Sequence, residues 1–127
     1  MRAVLTVPGR FPSLNAYVSA ERSDRQAGAR MKREETDRVA WEALSQRVPA
    51  FTEPVAVRIL WVEPNRRRDL DNVAFAAKFV LDGLVRAGIL QDDSQRWVRA
   101  LQHTFEVDPD APRVVVELDG LGDCDAQ

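Results

Sequence analysis

The stretch RRRDLDN, residues 66–72, places three arginines directly before two aspartates that are two positions apart. Carboxylate oxygens are ligands that Mg²⁺ prefers, and a bound Mg²⁺ commonly takes one or two carboxylates together with waters and substrate phosphates. Arginine binds phosphate oxygens through a planar fork of donors. The pattern therefore indicates either a site where a cation and a phosphate meet, or a solvated turn in which one aspartate caps a helix.

Two other parts of the chain could complete such a site. The adjacent acids of QDDSQ, Asp92 and Asp93, offer a third carboxylate, and Lys78 lies between the two acidic stretches. On a continuous helix at about 100° per residue, one stripe opposite the apolar side carries Asp71, Phe75, Lys78 and Asp82. A lysine there would stabilise charge that develops on the phosphoryl group, or protonate the leaving oxygen. The competing interpretation is a solvated turn at 92–93, a solvated surface lysine, and a surface Asp82 that pairs either with Lys78 or with Arg86.

Other classes of catalytic site find little support. His103 is the only histidine, which argues against a histidine-based zinc site or a Ser-His-Asp triad. Cys124 is the only cysteine and can form no internal disulfide, which fits a reducing compartment. No phosphate-binding glycine loop is present, so we expect no nucleotide cofactor. No apolar run approaches the ~18 residues of a membrane span and the start resembles no signal peptide, which predicts a cytoplasmic protein without a membrane segment.

The net charge of −2 conceals an uneven distribution. Residues 1–100 hold 17 basic and 13 acidic residues, a balance of +4, whereas residues 101–127 hold one basic and seven acidic residues, a balance of −6. All basic residues except Lys32 and Lys78 are arginines. The excess of arginine suits phosphate contacts, although a GC-rich genome would produce the same bias. A nucleic-acid partner therefore stays open despite the acidic total.

The hydrophobic pattern predicts one domain with the order β–loop–α–β–α–β–β. It predicts strands at 2–8, 53–64, 96–107 and 112–118, and helices at 32–47 and 70–87. Gly88 is the expected C-terminal cap of the second helix. The resulting fold class is α/β (α+β mixed): a mixed sheet of about four strands with two main helices in one small domain, residues 1–118. An acidic, flexible tail is expected at 119–127.

The segment between the first strand and the first helix, residues 9–31, shows no sustained period. A structureless segment of that length in a small domain is usually functional or disordered. Its arginines are Arg10, Arg22, Arg25 and Arg30. We expect either a mobile loop that contacts phosphates or a solvated loop without such a role.

The run RRRDLDNVAFAAKFVLDGLVRAGILQDDSQ, together with PSLN early in the chain, resembles the RusA-type Holliday junction resolvases. Their pattern combines an arginine-rich stretch, D-x-D-N, a helix with a lysine, and D-D-[SAD]-Q. The resemblance spans roughly residues 3–118 and is strongest over 66–95. It implies a small α/β homodimer that binds four-way DNA junctions and cuts two opposed strands symmetrically with Mg²⁺, for which Mn²⁺ is expected to substitute.

The resemblance also assigns roles to residues of this chain. The essential acids fall on Asp69, Asp71 and Asp93, which would be catalytic and hold the metal ion. The family lysine falls on Lys78 when counted back from LDGL, and on Phe75 when counted forward from D-x-D-N, because this chain has three extra residues there. We expect DNA contacts from one asparagine and a set of basic residues: Asn15, Arg10, Arg30, Lys32, Arg66, Arg67 and Arg68.

Besides the three extra residues, two features depart from the family pattern, namely the acidic C-terminal segment and the scarcity of lysine. Two alternatives to a junction resolvase stay open. One is a related nuclease that acts on flaps or forks. The other is a non-catalytic protein that binds branched DNA, in which the acids bind a structural cation or cap the helix.

Overall fold

Four strands form one mixed sheet in the computed structural model, which describes residues 1–122. The strands are β1 (Arg2–Pro8), β2 (Val55–Glu63), β3 (Val98–Val107) and β4 (Arg113–Gly120). Their order across the sheet is β1-β4-β2-β3, with β4 antiparallel to both of its neighbours and β3 parallel to β2. The mixed sheet of four strands predicted from the sequence is confirmed.

Four helical segments accompany the sheet and pack on one of its faces. They are α1 (Leu14–Ser23), α2 (Arg25–Ser45), α3 (Leu70–Ala74) and α4 (Ala77–Arg86). The helices bury Val39, Phe79 and Leu84 against alternate residues of the central strands. The face of β2 that the sequence predicted to be apolar is buried throughout, at Val55, Val57, Ile59 and Trp61. The core therefore lies between this sheet face and α2 and α4.

The prediction of a structureless loop over residues 9–31 is wrong, because α1 and the first turns of α2 occupy most of it. Each helix begins at a polar capping residue. The Ser13 Oγ accepts the backbone N–H of Ala16 at 3.1 Å, and the Asp24 Oδ1 accepts that of Gln26 at 3.0 Å. These bonds satisfy backbone donors that a helix start leaves without partners. The segment is therefore ordered and mainly helical, with one helix following directly on the other.

The helix predicted over 70–87 is interrupted at Phe75 and Ala76. The Lys78 N–H donates to the Phe75 carbonyl three residues back, at 3.2 Å, so the backbone tightens there. The Phe75 ring lies 5.3 Å from the Tyr17 ring and packs against the core, which corrects its predicted position on the outer stripe with Lys78. The predicted end at Gly88 is confirmed, since this glycine has a φ of +77°.

The C-terminal end of the sheet reaches into the segment expected to be a tail. Asp119 and Gly120 are the last residues of β4. Residues 123–127, including Cys124, lie outside the described residues, and so does the rest of the tail prediction. Within residues 1–122, no helix is both long and apolar enough to cross a membrane.

Candidate active site

Lys78 lies between two of the acids that the sequence indicated. Its Nζ is 3.2 Å from Asp82 Oδ1, one turn along α4, and 3.5 Å from Asp93 Oδ2 in the turn that follows α4. The hydrogen bond that Lys78 donates to Asp82, reinforced by the charges of both acids, raises the pKa of Lys78 against a smaller opposing effect of burial. The ammonium therefore keeps its proton at neutral pH. Of the two partners considered for Asp82, the structure shows Lys78, whereas Arg86 pairs with Asp37.

A cleft of about 650 Å³ opens beside this lysine, between α2 and α4. Its charged lining residues are Lys32, Arg33, Lys78, Asp82, Arg86, Asp92 and Asp93. The cleft brings Lys32, expected to contact DNA, close to the lysine and aspartate expected to be catalytic. Arg33 was not anticipated as a site residue, although its position next to Lys32 on a charged helix was a signal that could have identified it. Basic and acidic groups thus share one cavity.

Gly83 sets the close approach of the two helices that form the cleft. A Cβ at this position would lie 2.5 Å from the Val39 Cβ and 2.9 Å from the Thr36 carbonyl oxygen, closer than real Cβ atoms come. A side chain at 83 would therefore push α4 away from α2. Arg86 joins the two helices further along by an ion pair with Asp37. The LDGL motif thus combines Asp82, which contacts Lys78, with the glycine that lets the helices pack.

The two aspartates of DLDN lie at the start of α3. Asp69 occupies the N-cap position, but its side chain makes no capping hydrogen bond. Asp71 is exposed in the first turn, and its Oδ1 accepts the N–H of the next residue, Asn72, at 3.0 Å, its one side-chain hydrogen bond with the described part of the chain. A capping bond therefore does not occupy the Asp69 carboxylate.

Asn72 connects the DLDN motif to the early PSLN motif. Its Oδ1 accepts the backbone N–H of Asn15 at 3.0 Å, across 57 positions of sequence. The same contact fixes the start of α1 beside the start of α3. The Asn15 side chain itself is exposed, and its expected DNA contact stays a prediction. The asparagine of the motif thus has a clear positioning role that spacing alone did not reveal.

The predicted DNA-contacting arginines divide into two groups. Arg68 donates to the Phe11 carbonyl oxygen at 2.8 Å, and Arg10 pairs with the buried Glu63 at 2.5 Å. Burial, with the nearby charge of Arg10, lowers the pKa of Arg68. Arg66 and Arg67 are exposed, and Arg30 is exposed on α2. Only the second group presents its charge fully to solvent.

The three predicted metal ligands are not assembled into one cluster in this structure. Across residues 1–122, no group of three or more His, Cys, Asp or Glu side chains lies in an arrangement that could hold a metal ion. Asp93 is paired with Lys78, while Asp69 and Asp71 lie on the α3 side. The donor chemistry nevertheless suits a hard cation, because Mg²⁺ takes few protein carboxylates and completes its shell with water and phosphate oxygens.

Comparison with known proteins decides the family. The model of the family described as endodeoxyribonuclease RusA matches residues 10–119. The chain belongs to the RusA endodeoxyribonuclease family. This membership implies a nuclease that resolves Holliday junctions, and so acts on branched DNA. No curated protein matches the chain significantly.

Proposed function

We propose that this RusA family member is a Mg²⁺-dependent endonuclease that acts as a homodimer and cuts two opposed strands of a four-way junction symmetrically. The contact between Lys78 and Asp93 supports the proposal most directly, because it brings the DDSQ turn to the lysine of α4. The same contact opens on a cleft lined by both basic and acidic side chains. A twofold protein matches the twofold symmetry of a junction and presents one site to each of two opposed strands.

Asp69, Asp71 and Asp93 are the proposed ligands of the cation. Once bound, the cation would supply a water of lowered pKa and neutralise charge on the phosphoryl oxygens. Asp69 and Asp71 are exposed and carry no ion pair with a described residue, so they are available as ligands. Asp93 would exchange its contact with Lys78 for the cation.

Lys78 is proposed to stabilise negative charge on the scissile phosphate. Its raised pKa holds the proton on Nζ at neutral pH, which suits electrostatic stabilisation better than proton donation. Asp82 contacts the same Nζ and would keep the ammonium directed into the cleft when Asp93 turns to the cation. Lys78 thus takes the role that counting back from LDGL assigned to it.

The exposed basic side chains are proposed to hold the DNA backbone on either side of the cut. Lys32 and Arg33 line the cleft from α2, and Arg66 and Arg67 precede the acids of α3. Phosphate contacts of this kind position the duplex without reading its sequence. Binding should therefore weaken steeply as salt rises, by a slope in log–log form of about −0.9 for each phosphate neutralised.

The test is cleavage of an end-labelled four-way junction by the wild-type protein with Mg²⁺, with Mn²⁺ and with EDTA. We expect paired nicks at symmetrical positions with either metal and none with EDTA, and no cutting of a linear duplex of the same sequence. Binding without cleavage under every divalent metal would contradict the enzyme and leave a branched-DNA binding protein. Faster cutting of flaps or forks than of four-way junctions would identify the related branched-DNA nuclease instead.

A further inference from the structure

Glu63, the last residue of β2, is a charged side chain that the fold encloses. It is 7% exposed, and no other charged residue in the described chain, residues 1–122, is buried. A buried carboxylate is costly unless opposite charge compensates it. Buried ion pairs often add little net stability, because the cost of desolvation offsets their attraction. The position of the partners of Glu63 is therefore more informative than its contribution to stability.

Two arginines from different segments meet at one oxygen of this carboxylate. Arg10 Nη2 lies 2.5 Å from Glu63 Oε1, and Arg68 Nη1 lies 4.0 Å from the same atom. The Arg10 side chain makes no other hydrogen bond or ion pair with residues 1–122, and its Nε is buried without a partner. Within that part of the chain, Glu63 is therefore the only counter-charge between two guanidinium groups.

The two arginines also act on each other. Burial is the main cause that lowers the pKa of Arg68, the charge of Arg10 lowers it further, and Glu63 opposes both effects. The Arg10 and Arg68 side chains are only 32% and 27% exposed, so water screens their repulsion incompletely. Without the charge of Glu63, this repulsion would act on the two segments that carry the arginines.

The segment that carries Arg10 is held firmly by α2 and the core. Arg38, on α2, donates to the carbonyl oxygens of Pro8 and Arg10. Phe11 is 4% exposed, and its ring stacks on that of Phe79 at 6.2 Å. Any displacement caused by the repulsion would therefore fall on the side of Arg68.

The segment that carries Arg68 leads directly into the DLDN motif. Arg68 donates to the Phe11 carbonyl oxygen at 2.8 Å, and Asp69 is the next residue. Asp69 makes no capping hydrogen bond, and Asp71 is bonded only within its own turn among residues 1–122. At the other end of the motif, Asn72 contacts the start of α1. The placement of both acids therefore depends on contacts at the two ends of the motif, and Glu63 governs the first.

We propose that Glu63 is a positioning residue of the candidate active site, which neutralises Arg10 and Arg68 together and so lets Arg68 hold Asp69 and Asp71 in place for the cation. The proposal rests on the proposed function for the cation and for cleavage, whereas the link from Glu63 to the DLDN motif stands on the contacts alone. Glu63→Gln keeps the size of the side chain and removes its charge, so the arginines should repel each other. Removal of the Arg10 charge as well should relieve that repulsion.

The first test is amide hydrogen exchange of the protein without metal or DNA. The amides of Val73 and Phe75 make the hydrogen bonds of α3 to the carbonyls of the motif. They should exchange about tenfold faster in Glu63→Gln than in the wild type, because the segment opens locally more often. In the double variant Arg10→Gln/Glu63→Gln, the rates should return to within about threefold of the wild type.

Glu117 provides a matched control, because its Oε1 also lies between two arginines, Arg2 and Arg58. It lies on β4, on the sheet face opposite the buried residues of that strand, and none of its contacts is with the candidate site. Glu117→Gln should leave exchange in α3 at the wild-type rate. Equal acceleration by Glu117→Gln and Glu63→Gln would mean a general loosening of the fold and would overturn the proposal.

The second test is the Mg²⁺ dependence of junction cleavage at saturating protein, which removes differences in DNA affinity. Glu63→Gln should raise the Mg²⁺ concentration for half-maximal cleavage by about tenfold, the lower end of what loss of a residue behind metal ligands costs. The double variant with Arg10→Gln should restore that concentration. A role confined to stability would leave it unchanged in protein that circular dichroism shows to be folded.

The outcomes separate this proposal from the proposed function. If Glu63→Gln does not fold, the double variant should still fold, since the repulsion is gone. Unfolding of both, unchanged exchange in folded Glu63→Gln, or a double variant as perturbed as the single one would each overturn the proposal. Exchange as expected in a protein that cuts no junction would remove the nuclease and keep the link to the motif. A nuclease whose Mg²⁺ requirement is unmoved by folded Glu63→Gln would do the opposite.

Discussion

The third arginine of the run at 66–68 differs from the first two in what its charge does. The Arg68 guanidinium is bonded to the Phe11 carbonyl and lies 4.0 Å from Glu63, so it joins the end of β2 to the segment before α1. The Arg66 and Arg67 side chains have no hydrogen bond or ion pair with any residue that the structure describes, and both are exposed. Of these three consecutive arginines, Arg68 is therefore braced, meaning that other parts of the fold hold its charge. The charges of Arg66 and Arg67 are free cations, meaning that no described residue pairs with them.

The acids of the candidate site divide in the same way. Asp82 and Asp93 contact Lys78, whereas the Asp71 carboxylate is hydrogen-bonded, among residues 1–122, only to the neighbouring backbone N–H of Asn72. Charged groups that other parts of the fold already hold can be removed only at a cost in stability. Charged groups that are free can be removed with little effect on the fold, so any loss of activity reports on chemistry or DNA binding.

The largest effect is expected at a free acid. Asp71→Asn should reduce junction cleavage by about 10³-fold, since a metal ligand contributes several kcal/mol to stabilisation of the transition state. The urea midpoint should stay near that of the wild type, because the side chain braces nothing beyond its own turn. Cleavage and unfolding measured on the same preparations check both statements.

Asp110→Asn, at an exposed aspartate in the β3–β4 connection, is the matched control for Asp71→Asn and should cut at the wild-type rate. If Asp71→Asn lowered stability and left cleavage intact, the aspartate would belong to the braced group. The interpretation of Asp71 as a helix-stabilising residue would then replace that of a metal ligand.

The next effect is expected at the braced arginine. Arg68→Gln should lower the free energy of unfolding by about 2 kcal/mol, because it removes a charge-assisted hydrogen bond to a main-chain carbonyl. Arg67→Gln, one residue away, should change it by less than about 0.5 kcal/mol. Urea unfolding of the two variants measures the difference. Equal losses for Arg67 and Arg68 would show that the division between brace and free cation is wrong.

The strands could be predicted because the alternation of buried and exposed residues appears within a short stretch of sequence. On β2 every second residue from Val55 to Trp61 is buried, and this alternation survives in the sequence. Helix α1 could not be predicted from a hydrophobic pattern, because none of its residues is fully buried and its sequence therefore shows no apolar period. Its remaining signals were the polar caps Ser13 and Asp24, which are weak evidence without a pattern behind them.

The candidate site was predictable only in its local parts. Spacing placed Lys78 one turn from Asp82, and this is what the structure shows. The bond between Asn72 and Asn15 and the bond from Arg68 to Phe11 both span 57 positions, so no local pattern encodes them. Such contacts depend on how α1 packs against α3, which is a property of the tertiary fold.

A smaller effect is expected for the free cations, and it concerns DNA rather than stability. Arg67→Gln should reduce the magnitude of the slope of log affinity against log salt by about 1. It should weaken binding to four-way junctions and to non-specific duplex alike. Junction affinity measured across a salt series provides the test. Arg47→Gln, at an exposed arginine just after α2, is the control and should leave the slope unchanged. An unchanged slope for Arg67→Gln would remove this arginine from the DNA-binding surface.

The smallest effect is expected at His103, whose uncharged side chain is held by a neighbouring residue. His103 accepts a hydrogen bond at Nδ1 from the Trp61 Nε1–H at 2.9 Å, which requires the neutral ring, and burial lowers the pKa of His103 from its usual 6.5. Because the folded pKa lies below the unfolded one, the protein takes up a proton on unfolding between the two values. The stability that neutral His103 contributes is therefore fully present above the unfolded pKa and is lost as pH falls through the folded pKa.

His103→Asn isolates this contribution, since the Asn Oδ1 can accept the same bond and does not titrate. Urea midpoints between about pH 7.5 and about pH 5 should fall further for the wild type than for His103→Asn. Parallel curves for the two proteins would mean that the ring stays solvated enough to carry its charge, and that His103 belongs with the free groups. A steeper fall for the wild type would place it with Arg68, as a residue whose neighbours on β2 have fixed the state in which it stabilises the fold.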